Sequence, residues 1–155
     1  MSAEVKPIPE GYHSITPYLI VKGAAGALDF YKQVFGATEI MRMADGDRIG
    51  HAEITIGDSH VMVADEYPDM GYFAPESGRA PPVGLMLYVE DVDGVVERAV
   101  AAGATLDRPV EDQFYGDRAG DITDPFGHRW HISTHVEDVP PEEMEERMEK
   151  AQQGQ

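Results

Sequence analysis

A chain of 155 residues with 29 acidic and 12 basic side chains carries a formal charge of -17, which argues against nucleic acid and anionic membranes as partners. It has no cysteine, hence no disulfide framework, thiol nucleophile or thiolate metal site. No apolar run approaches the roughly 18 residues of a bilayer span, and MSAEVKPIPEGY at the start is neither apolar nor a basic leader, so a cytoplasmic protein is the expectation.

In chain order, residues 15–21 alternate like a strand. Ala24, Leu28, Tyr31 and Phe35 then recur at helical spacing, with Gly36 as the stop. Strands are predicted near 38–43, 49–56 and 60–64, turning at Asp45-Gly46 and at Gly57-Asp58-Ser59. Residues 67–82 are rich in Pro and Gly and lack periodicity, which predicts a linker and a candidate flap over a cavity.

A second strand-helix pattern follows. Residues 83–89 read as a strand and Asp91 as an N-cap, with Val92, Val95, Val96, Ala99 and Val100 as an apolar helix face stopped by Gly103. Strands near 105–110, 120–123 and 129–134 complete the copy. Pro140-Pro141 interrupts the chain, and the glutamate-rich stretch beyond predicts a short acidic helix over residues 142–151, within an acidic helix and tail of residues 140–155. The adjacent acidic pairs Asp65-Glu66 and Glu90-Asp91 read as solvated strand ends.

The two halves are therefore a repeat. Both YLIVKGAAGALDFYKQVFGAT and LYVEDVDGVVERAVAAGAT run from a β-rich stretch through a loop into an amphipathic helix ending at Gly-Ala-Thr. The expected fold is α+β: two tandem βαβββ modules forming a curved mixed sheet around a central cavity. Module one spans about 12–66 and module two about 83–136, within one domain of residues 1–139.

This pattern resembles the vicinal oxygen chelate (VOC) superfamily, which includes glyoxalases, bleomycin-resistance proteins and dioxygenases. Ala27-Leu28-Asp29-Phe30-Tyr31 is similar to that family's helix motif, and Asp124-Pro125-Phe126-Gly127 to its turn before the last strand. Tyr115-Gly116-Asp117-Arg118 resembles a loop of the PhnB-like and bleomycin-resistance branches. The resemblance implies small-molecule binding and a homodimer, leaving open whether modules pair within a chain or between chains.

Catalytic members of that family hold a divalent metal with His, Gln or Glu. The matching positions here are Thr16, Gly84, Val61 or Met62, and His131, of which only His131 is a competent ligand. No metal cofactor is therefore expected. The alternative is a divalent ion on His51, Glu53 and His131, since His51 and Glu53 share a strand face. His131 and His135 also share a face, but about 13 Å of strand separates them.

Strand alternation turns Thr16, Tyr18 and Ile20 from module one, and Gly84, Met86 and Tyr88 from module two, toward the cavity, with His131 and Ser133 joining from the last strand. Tyr115 and Arg118 are expected to overhang it, although Arg118 has an equally good structural use in an ion pair with Asp117 or Asp121. Aromatic and Met surface with a few polar groups suits a planar or aromatic ligand. The expected function is a metal-independent small-molecule-binding protein. A metal-dependent lyase or dioxygenase is the alternative, and a scaffold acting through the acidic tail is a third reading.

Overall fold

The structure is a computed structural model and describes residues 4–154. The chain divides into two compact units, Met1–Ser77 and Gly78–Gln155; the boundary lies inside the stretch predicted as linker. Each unit is a four-stranded mixed sheet with a helix packed on one face, and the architecture is α+β with two βαβββ modules, as the repeat implies.

Unit one contains β1 (Tyr18–Val21), α1 (Ala24–Phe35), β2 (Thr38–Asp45), β3 (Arg48–Ile56) and β4 (Ser59–Asp65) in the sheet order β1-β4-β3-β2. β1 runs parallel to β4, with Tyr18 opposite Met62, and the remaining pairs are antiparallel. Alternation does the sorting. Leu19, Val21, Ile54, Ile56, Val61 and Val63 are buried together with Ala24, Ala27, Leu28, Tyr31 and Val34 of α1. Their strand neighbours His51, Glu53, Thr55, His60 and Met62 are less buried and belong to the face away from α1. Phe35, expected in the buried stripe, is only half-buried, and Val34 takes the core position.

No side chain of its own caps α1; its N-cap is Gly23 at φ 89. Asp65 supplies the cap from β4. One of its oxygens accepts from the Gly23 and Ala24 amides at 2.8 and 2.9 Å, and the other from the Ile49 amide at 2.7 Å. Asp65 is thus a buried anchor, correcting the expectation of a solvated end: orphan amides at a helix start attract a carboxylate. Glu66 likewise accepts from the Ala74 amide.

Unit two repeats the plan with β5 (Gly84–Tyr88), α2 (Val92–Ala101), β6 (Thr105–Asp112), β7 (Asp117–Thr123) and β8 (Arg129–His135), in the order β5-β8-β7-β6. Asp91 caps α2 by accepting from the Gly94 amide. Val92, Val95, Val96 and Ala99 are buried with Ile122, Trp130 and Ile132, whereas Val100 is 42% exposed. The Asp124-Pro-Phe-Gly turn closes around one carboxylate. Asp124 accepts from the Phe126 and His128 amides and, through its other oxygen, from Trp130 Nε1 at 2.9 Å.

α3 (Pro141–Gln153) is the acidic helix expected at the end of the chain. Arg147 ties it to unit two through Glu137 at 2.7 and 2.9 Å and the Phe114 carbonyl at 3.3 Å. Among the described residues no helix is long and apolar enough to cross a membrane.

Candidate functional site

Within unit one, an open cavity of about 710 Å³ lies against the sheet on the side away from α1. Its floor is Tyr18 and Ile20 of β1, Gly50 of β3 and Ala64 of β4; Asp45, Asp65, Tyr67, Met70 and Tyr72 make up the rest of the lining. The last three come from the stretch read as linker. There the Tyr67 and Tyr72 amides each donate to the other residue's carbonyl, at 2.9 and 3.1 Å. A single 3₁₀ turn, Pro68–Met70, fills the loop between them. This closed turn gives the two tyrosines a fixed spacing, and the Tyr67 hydroxyl donates to Asp45 Oδ2 at 3.0 Å.

Tyr18 meets His51 Nδ1 at 2.7 Å, and His51 Nε2 lies 3.2 Å from Glu53 Oε2. Glu53 also accepts from the Tyr12 hydroxyl, and the Tyr12 ring stacks on His60 with centroids 4.0 Å apart. Burial, with a smaller contribution from Tyr72, raises the Tyr18 phenol above its ordinary range. It therefore stays protonated at neutral pH.

Unit two presents a more polar surface on the side away from α2. His131 Nδ1 lies 2.9 Å from Asp121, and the carboxylate of Asp117 takes both Tyr88 (2.9 Å) and His135 Nδ1 (2.7 Å). His135 Nε2 reaches Asp138 at 2.7 Å. These contacts raise the His135 imidazole, the bond to Asp117 contributing most. Tyr88 is raised chiefly by its bond to Asp117, and Tyr115 by burial and then by the Asp117 charge. Ser133, wholly buried, donates to the Met86 sulfur at 3.4 Å.

The expected site residues thus fall into groups. Met86, Tyr88, Tyr115, His131 and Ser133 gather on one face of the second sheet, and Tyr18 is on the first. Thr16 lies before β1, because the strand begins at Tyr18 and not at residue 15. Arg118 departs from the expected overhang. It is a strand residue of β7 pointing to the helix side, where it holds Asp93 of α2 at 2.8 and 2.9 Å and Asp112 at 3.2 Å. The reason is register: Asp117 and Arg118 pair with His135 and Thr134, so the loop ends at Gly116.

Sequence reasoning missed Tyr67, Met70 and Tyr72 of the cavity, and Asp117, Asp121 and His135 of the polar network. The tyrosines sit in an aperiodic segment, and only their spacing around Pro68 hinted at a turn. The carboxylates alternate with Ala119 on a strand whose start was placed too late.

The four positions that the family resemblance assigns to a metal fit one poorly. Val61 is in the core, so Met62 is the residue on the exposed face, and its thioether is no ligand for a hard ion. Gly84 offers no side chain, and a Cβ there would come within 2.6 Å of His131 Nε2. In the alternative set, both His51 nitrogens are already engaged by Tyr18 and Glu53. Among the described residues no group of three or more His, Asp or Glu side chains is placed to hold a metal ion.

Comparison with known proteins agrees with the fold. The family model described as the Glyoxalase/Bleomycin resistance protein/Dioxygenase superfamily matches residues 11–132. The uncharacterized Mycobacterium bovis protein Mb0911c is 38% identical over 145 residues, covering 91% of this chain and 95% of that protein. Among solved structures, TioX from Micromonospora sp. ML1 superposes with a TM-score of 0.62 at 27% identity, over 80% of this chain and 99% of TioX. A PhnB protein from Bacillus cereus shares the fold at a TM-score of 0.61 and 20% identity, over 79% of this chain and 99% of its own.

Proposed function

Since the chain belongs to the glyoxalase/bleomycin resistance protein/dioxygenase superfamily, we propose that it is a metal-independent small-molecule-binding protein of the bleomycin-resistance and PhnB-like type, taking a planar, aromatic ligand. The observation that carries this reading is the cavity of unit one. Tyr67, Met70 and Tyr72 stand beside a floor of Tyr18, Ile20, Ala64 and Gly50, and flat aromatic surfaces favour a flat guest.

Metal independence rests on the donor set: of the four positions the resemblance assigns, only His131 is a competent ligand. The reading includes a cytoplasmic location and a homodimer; the resemblance implies the dimer and sedimentation at micromolar concentration tests it, a 17 kDa species alone contradicting it. For the ligand, a thermal-shift screen of planar mono- and bicyclic aromatic compounds should yield binders that raise Tm by native-state binding. Tyr72→Ala should abolish most of that shift. A shift untouched by Tyr72→Ala would place the ligand elsewhere.

A further inference from the structure

We propose that the cavity of unit one selects organic cations: its ligand carries a positively charged group, such as a quaternary or aryl ammonium, on a planar ring. This deepens the small-molecule-binding reading and rests on it. Three observations converge. The lining contributes the rings of Tyr18, Tyr67 and Tyr72, and a protonated tyrosine offers a cation the negative face of its quadrupole. The same lining holds the carboxylates of Asp45 and Asp65 and no Lys, Arg or His. Finally, residues 1–77 carry twelve acidic and five basic side chains, so the wider field of the unit also favours a cation.

The two carboxylates are not equivalent. Asp65 is buried and spends its oxygens on three backbone amides. Asp45 is exposed, and the Tyr67 hydroxyl donates to its Oδ2. It is the anion that a ligand can reach. Nearby, the Arg48 guanidinium lies 4.3 Å from the Tyr67 ring centroid. A native cation thus already sits on one of these rings, the arrangement a ligand cation would make with Tyr18 or Tyr72.

Three probes with one ring system test this: 1-naphthyltrimethylammonium, 1-naphthamide and 1-naphthoate, titrated calorimetrically into the full chain at pH 7.5 and low salt. The cation should bind about tenfold more tightly than the neutral amide, and the carboxylate more weakly than either. Asp45→Asn should bring the cation close to the amide, and added salt should weaken the cation selectively. Tyr72→Ala should weaken all three. If the amide binds as tightly as the cation, the cation preference is refuted and the aromatic cavity stands. If Asp45→Asn leaves the preference intact, Asp45 is not its source and the assignment falls. If none of the three binds, the small-molecule reading of this cavity fails with it.

Discussion

Asp65 and Asp124 perform one task in the two units. Each is a buried carboxylate that satisfies backbone amides where a strand meets a turn or helix. Asp124 was legible as part of a turn because two of its partners lie two and four residues away. Asp65 was not, because its partners lie 16 to 42 residues away. Hydrogen bonds to a charged group stabilise by about 1.5–3 kcal/mol each. Asp65→Asn should therefore lower unfolding stability by about 2 kcal/mol in urea, with the m-value unchanged; no loss would show that the Asp65 charge is dispensable.

His135 carries a second prediction at this scale. Asp117 and Asp138 flank its ring, and Tyr88 shares Asp117. The folded state holds its proton more tightly than the unfolded chain, whose ordinary value is 6.5. Its contribution is fully present below that pH and lost as pH rises through the higher folded value. The stability advantage of wild type over His135→Gln should thus be largest at pH 5.5 and shrink above neutrality. An advantage that grew with pH would contradict the ring contacts.

At the scale of elements, strand and helix positions were legible wherever apolar periodicity was unbroken. β3, α1 and α2 lie close to where alternation or helical spacing puts them. β7 begins three residues earlier than expected, since its Asp117-Arg118 start is polar on both faces. Its burial comes from ladder pairing with β8, which no local pattern encodes. β5 makes a more local point. Its first residue, Gly84, leaves room for the His131 imidazole from the adjacent strand. Gly84→Ala should displace that ring, move its NMR ring-proton chemical shifts, and destabilise by about 1–3 kcal/mol, the usual cost of overpacking. Unaltered ring-proton shifts would mean the ring does not lie over Gly84. The appended α3 is fixed to unit two mainly through Arg147. Exposed ion pairs of this kind contribute at most about 1 kcal/mol. Removal of residues 140–155 should cost little stability and leave ligand binding intact.

At the scale of the molecule, the repeat and three short motifs made the family readable before any coordinate, because two copies of one pattern leave few architectures. The candidate site was only half readable. Tyr18 and Ile20 follow from alternation, whereas Tyr67 and Tyr72 owe their places to a turn in a segment that carries no periodicity. Purified protein should hold well under one equivalent of Zn, Fe, Mn, Ni or Co per chain by elemental analysis; stoichiometric metal lost in His51→Ala or Glu53→Ala would favour the lyase or dioxygenase alternative. The most direct test of metal-independent binding is calorimetric titration of chelator-treated protein with whichever naphthyl probe binds best. Affinity should be unchanged after chelation, and Tyr18→Ala should lose about 1–3 kcal/mol, the range for removing one large apolar side chain. Binding that vanished on chelation and returned with a divalent ion would contradict metal independence.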